Sequence, residues 1–276
     1  MIRSAETGTA AKWHMLLYGS GETGKSRLLG ALPRSNPDFF CSPSGKVVYL
    51  AADPEGARLG SILPEDRKHL EVVELDYKKD IFEQLNNLFS GTGDCKWVAD
   101  EGFKTIITDT LTVAVRAMLG QLADSGKFSD KNIRISRTHS LPMQGDYMAA
   151  GRLLDELMRT QQAAPFHSIV ACHEQEVHPD EGRRGESIGG PAGVGRAAVR
   201  LMVNYYNTVL RVHQRPKPRT QIGAKLEMER VVSTTTQGIW QAKFRVPAPV
   251  NPIPEILVDP DPINVWQKLA AAQEVK

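Results

Sequence analysis

The stretch His14-Met-Leu-Leu-Tyr-Gly19-Ser-Gly-Glu-Thr-Gly24-Lys25-Ser26-Arg-Leu-Leu-Gly-Ala-Leu32 decides how this chain is read. It opens on HMLLY, an apolar run of strand length. Gly19 to Ser26 then keep the spacing G-x-x-x-x-G-K-[ST], and KSRLLGAL continues as a helix. A strand, a Gly-rich turn and a helix in that order give the spacing a physical meaning. Glycines let backbone N–H groups close on an anion, and the start of a helix adds a favourable dipole. The expected cofactor-binding segment is therefore Gly19, Ser20, Gly21, Glu22, Thr23, Gly24, Lys25, Ser26 and Arg27, and the expected ligand is the polyphosphate of ATP. Lys25 is placed to reach the β- and γ-phosphates, and the Ser26 hydroxyl to ligate Mg²⁺.

Such a loop needs a carboxylate for the metal, and the apolar run KTIITD supplies one at its end, Asp109. In a parallel sheet that end faces the ligand crevice. Hydrolysis also needs an acid to position or activate water. The run KVVYLAA ends in Asp53-Pro-Glu55-Gly56, and spacing does not separate Asp53 from Glu55 as that acid. A third polar residue, His173, follows the run SIVAC and suits a group that hydrogen-bonds the γ-phosphate and senses its loss. His173-Glu-Gln-Glu-Val-His178 superficially resembles a zinc-protease signature, but its histidines are five apart instead of the four that share a helix face, so zinc is not expected.

The chain has 276 residues, 34 Lys and Arg against 32 Asp and Glu, and 41% hydrophobic residues. That length can bury a core without staples, and the apolar fraction excludes a disordered chain. Three scattered cysteines form no disulfide framework and no metal knuckle, so a reducing, cytoplasmic setting is expected. The opening MIRSAETGTAAKWHMLLYGSG lacks an apolar leader segment, and no run approaches 18 apolar residues, so no membrane partner is expected.

Short apolar runs at 14–18, 46–52, 70–75, 104–109 and 168–172 read as buried parallel strands. Runs at 208–213, 230–233 and 238–246 could extend the sheet. Helical spacing is present at 25–32, 81–89, 111–123, 146–162 and 195–206. The fold class predicted is α/β, a mostly parallel sheet flanked by helices. The core is expected over 12–250. The remainder, 251–276, continues from VPAPVNPIPEILVDPDP, with six prolines in 17 residues, and is expected as an extended Pro-rich tail with one short helix near 263–272.

Taken in order, the loop, the YLAADPEG turn, the IITDT strand and the IVACHE strand resemble the RecA-like P-loop ATPase core. More narrowly, the chain resembles small phage nucleotide-binding proteins with a bare RecA-like core, some of which act in single-strand annealing or recombination. Gly189-Gly-Pro-Ala-Gly-Val-Gly195 and the terminal Trp240-Gln-Ala-Lys243-Phe-Arg245 carry that likeness further. The resemblance implies a Mg²⁺-dependent ATPase that acts on single-stranded DNA and assembles with itself as a ring or filament. It would lie in the host cytoplasm if phage-encoded, and could work with a single-strand-binding protein or another replication or recombination protein. It also implies that Lys243 and Arg245 project into a neighbour's site, as an arginine finger does. The loop after the fifth strand, with Arg183, Arg184 and Arg196, would touch DNA. His173 stands where RecA itself has glutamine. Charge agrees with a polarised chain: residues 177–245 hold 12 Lys and Arg against five Asp and Glu (net +7), and the rest 22 against 27 (net −5). Two other classes fit the same residues, a DNA-translocating or helicase-type motor and a nucleotide-gated assembly factor with little turnover.

Overall fold

In the computed structural model, residues 12–53, 59–128, 139–178, 187–193, 195–217, 227–244, 255–258 and 261–274 are described. Their strands are β1 (His14–Gly19), β2 (Val47–Ala51), β3 (Leu70–Glu74), β4 (Thr105–Asp109), β5 (His167–Val177), β6 (Ile188–Pro191), β7 (Thr208–Pro216), β8 (Met228–Ser233), β9 (Lys243–Phe244) and β10 (Glu255–Leu257). They join one sheet in the order β10-β8-β7-β1-β5-β4-β2-β3, with β6 paired to β5 and β9 to β7. Every pairing from β7 across to β3 along that order is parallel, while β8, β10, β6 and β9 are added antiparallel. This is the expected mixed α/β architecture with a mostly parallel sheet flanked by helices.

The helices are α1 (Lys25–Gly30), α2 (Leu32–Ser35), α3 (Pro37–Phe40), α4 (Pro64–Arg67), α5 (Ile81–Ser90), α6 (Trp97–Asp100), α7 (Leu111–Ser125), α8 (Gln144–Ala163), α9 (Gly195–Tyr205) and α10 (Ile263–Glu274). The expected helix over 25–32 is divided at Ala31, because Pro33 opens a second short helix. α5 begins where Asp80 accepts the Glu83 N–H at 3.0 Å and stops at Gly91, whose φ of 64° a glycine adopts without cost.

The central strands are mostly apolar because both faces of the sheet are covered. Leu16, Tyr18, Leu50, Ile106 and Val170 pack under α5, α7, α8 and α9. Their alternates Met15, Leu17, Tyr49, Ile107 and Ile169 pack under α1, α2, α3 and α10. Period-two alternation therefore assigns every later strand residue to one of two faces.

Three expectations need correction. The sequence around His173 does not end a strand: β5 runs on to Val177, because β6 folds back and pairs Glu174 with Pro191 through Val177 with Ile188. The run expected over 238–246 begins as strand only at Lys243, in β9; residues 245 and 246 lie outside the described ones. The C-terminal segment is not simply an extended tail. β10 pairs with β8, and α10 buries Trp266, whose Nε1–H donates to the Leu28 carbonyl at 2.7 Å. The short helix expected near 263–272 is present as α10, and the prolines before it leave a short edge strand intact. No helix among the described residues is long and apolar enough to cross a membrane.

Candidate phosphate-binding site

The loop begins where β1 passes β7. A Cβ on Gly19 would lie 2.0 Å from the Val212 carbonyl oxygen, so only glycine fits between these strands. The chain then turns through the left-handed region at Glu22 (φ 61°) and at Gly24 (φ 91°). Left-handed residues alternating with right-handed ones turn successive N–H groups toward one point, the arrangement of an anion nest. Thr23 braces the turn by donating to the Ser20 carbonyl at 3.0 Å. Lys25 is almost fully buried, and its Nζ donates to the carbonyls of Gly19 at 2.9 Å and Ser20 at 2.6 Å. The ammonium is thus held inside the loop.

The loop opens on a cavity of about 600 Å³. Gly21, Glu22, Gly24, Lys25, Ser26 and Arg27 line one side, Ser61 and Leu63 another, and His173 and Arg230 the rest. His173 lies beside Gly19 in the β1–β5 register. Its N–H donates to Thr112 Oγ1 at 3.0 Å, and its carbonyl accepts from the Ala192 N–H at 2.6 Å, so its backbone is fixed from α7 and from the chain after β6. The next residue, Glu174, points to the opposite face, where it accepts from Arg211 Nε at 3.2 Å. Arg211 in turn lies over the Trp240 ring at 4.0 Å. Residues 173–177 are therefore strand, with alternate side chains on opposite faces, and not a helical ligand face.

Asp109 ends β4 with its side chain on the α1 face, in phase with Ile107, and is fully buried. The N-cap of α7 is the next residue, Thr110, which makes no side-chain cap bond. Asp109 Oδ2 accepts the Tyr49 hydroxyl at 2.6 Å. Asp53 follows β2, half-buried, and the preceding Ala52 N–H bonds the Asp109 carbonyl at 2.9 Å, which ties the two strand ends together. Beside Asp109, Thr110 Oγ1 is buried with no hydrogen-bond partner. A buried hydroxyl left in this way is what a metal-bound water would satisfy. Mg²⁺ keeps several waters and needs one or two protein oxygens beside the phosphates, so Ser26 and Asp109 fit it as a donor set. Cys172, on the far face, is no nucleophile: burial pushes its thiol up to about 12.

Other expected site residues fall elsewhere. Lys243 pairs with Val209, whose side chain belongs to the face opposite α1, so Lys243 does not point toward its own chain's loop. Glu55, Arg183, Arg184 and Arg245 lie outside the described residues. Arg196 lies in the first turn of α9, and its side chain is outside them too. Arg230 was not singled out by the sequence. Its signal was a cation two residues from Val232, in phase with the buried face of β8.

No family model matches the chain, and no curated protein matches it. Among solved structures, one similar chain is an ATPase from the type III secretion system of pathogenic bacteria, at 12% identity and a TM-score of 0.41, covering 73% of this chain and 52% of that one. Another is the KaiC-like protein PH0186 from Pyrococcus horikoshii OT3, at 11% identity and a TM-score of 0.43, covering 79% of this chain and 77% of that one. This chain spans about half the length of the first. Likeness at this level leaves the function to be argued from the residues.

Proposed function

We propose that this chain is a RecA-like P-loop ATPase that hydrolyses ATP with Mg²⁺ and works on single-stranded DNA as a ring or filament, in recombination or strand annealing. The observation that carries the reading is the Gly19–Ser26 loop itself: it passes through left-handed backbone at Glu22 and Gly24 around the buried Lys25, at the mouth of a cavity of about 600 Å³. Backbone donors and one ammonium at that spacing match the oxygens of a polyphosphate.

Bound Mg²⁺ would neutralise charge on the β- and γ-phosphates. Lys25 would exchange its bonds to the Gly19 and Ser20 carbonyls for phosphate oxygens. Asp109, oriented by Tyr49, would hold water on the metal side. Asp53 or Glu55 would take the proton of the attacking water as its oxygen bonds to the γ-phosphorus and the bond to the β–γ bridging oxygen breaks. His173 would report the γ-phosphate to the chain after β6 through its backbone bonds.

The DNA and assembly roles are supported by charge and orientation. Residues 177–245 carry net +7 (12 Lys and Arg against five Asp and Glu), which favours an anionic partner for the segment with Arg183, Arg184 and Arg196. Lys243, facing away from its own loop, would with Arg245 serve a neighbouring subunit.

The test is ATP turnover by wild type and Lys25→Ala, with and without single-stranded DNA. Turnover that DNA stimulates and Lys25→Ala abolishes supports the reading. Wild-type turnover in Lys25→Ala refutes the site. ATP binding without turnover assigns the chain to nucleotide-gated assembly instead.

A further inference from the structure

The cavity is completed by a residue from the far end of the chain. Arg230 belongs to β8, which pairs antiparallel with β7, and it stands directly opposite Gln214. Both are in phase with the buried Val212 and Val232 on the α1 face, and both reach the loop. Gln214 Nε2 approaches the Glu22 carbonyl at 3.5 Å. From the position a Cβ on Gly24 would take, Arg230 Cδ is 3.3 Å away, and Nε and Nη1 are each 3.7 Å away. The guanidinium therefore lies on the loop glycine that precedes Lys25. Its mounting is firm. The Arg230 carbonyl accepts the Val258 N–H at 2.9 Å, and β10 pairs with the next three residues of β8.

Among the described residues that line the cavity, the cations Lys25, Arg27 and Arg230 stand against one carboxylate, Glu22. That excess favours a polyanion. A planar guanidinium presents parallel donors to phosphate oxygens, which an ammonium cannot do. We infer that Arg230 is a second phosphate-binding residue of this site, acting in cis from β8 on the polyphosphate bound by its own chain. This rests on the nucleotide-site reading above and adds a residue to it. It also gives the C-terminal segment a role, because β10 holds the strand that delivers the guanidinium.

The experiment uses the full chain and measures the affinity of ATP with Mg²⁺, of AMP, and of inorganic tripolyphosphate, for wild type, Arg230→Gln and Arg230→Lys. Arg230→Gln is expected to weaken ATP and tripolyphosphate alike, by about tenfold, with AMP changed less than about twofold. Arg230→Lys is expected to recover part of that loss, because it keeps the charge but not the fork. ATP affinity unchanged in Arg230→Gln overturns the inference, as does a loss on ATP that tripolyphosphate does not share, which would place the side chain on sugar or base. Should Arg230→Gln not fold, unchanged ATP and tripolyphosphate affinity in Arg230→Lys overturns it in the same way. Wild type that binds neither ATP nor tripolyphosphate refutes the nucleotide site itself. Wild type that binds both while the Arg230 variants match it refutes only the role of Arg230.

Discussion

Removing the Tyr49 hydroxyl tests the metal-side carboxylate without touching the loop. Tyr49 and Asp109 are both fully buried, and the hydroxyl donates to Oδ2 at 2.6 Å. Tyr49→Phe keeps the ring in its packed place among the α1-face core and deletes that donor alone. A hydrogen bond to a charged group contributes about 1.5–3 kcal/mol. The unfolding entropy of a 276-residue chain, at about 2.1 cal/mol/K per residue, converts that to a fall in Tm of roughly 3–5 °C. Calorimetry without Mg²⁺ measures it. Tyr49→Phe should also raise the Mg²⁺ concentration needed for half-maximal turnover, while binding of ATP in chelator stays unchanged. In a double-mutant cycle with Asp109→Asn, the two losses should fail to add by about 1–2 kcal/mol. A Tm within about 1 °C of wild type, with an unchanged Mg²⁺ requirement, refutes the idea that Tyr49 positions Asp109.

Three further predictions concern the frame around the site. Gly19→Ala would place a methyl 2.0 Å from the Val212 carbonyl and should cost about 3 kcal/mol or more in urea unfolding, whereas Gly21→Ala, with open space at that position, should cost under about 0.5 kcal/mol. Trp266→Phe removes the donor to the Leu28 carbonyl and should destabilise by about 1–3 kcal/mol, a loss also visible in the urea midpoint; an unchanged midpoint would detach α10 from the frame of the loop. His167 should set part of the acid limit. Burial first, then the nearby His14 and Lys12, lowers it to about 4 from 6.5, and its Nδ1 accepts the Trp13 N–H at 2.9 Å. Because the folded value is the lower one, the unfolded chain takes up the proton first. Stability is complete above pH 6.5 and falls toward pH 4, by at most about 3 kcal/mol. His167→Asn, which keeps an acceptor for Trp13, should flatten that decline in melts run across the range.

Local spacing was enough for the sequence alone to determine the phosphate loop and the fold class. HMLLYGSGETGKS is a strand, a turn and a helix start within 13 residues, and its chemistry lies in the backbone of that same segment, so the loop was legible without a fold. The runs 14–18 and 104–109 were legible too, because their centres, Met15–Leu17 and Ile106–Ile107, are apolar without alternation, as in strands buried on both faces. Their alternation with helical spacing set the α/β class. Only the tertiary structure decided which distant residues meet the loop. The order of strands puts β5 between β1 and β4, so His173 stands beside Gly19. Pairing across two antiparallel strands brings Gln214 and Arg230 to residues 22–24, about 190–210 positions earlier in the chain. Parity on β9 turns Lys243 away from that site, and a proline-interrupted segment becomes an edge strand and a buried helix. Each of these depends on register between segments remote in sequence, which no local pattern encodes.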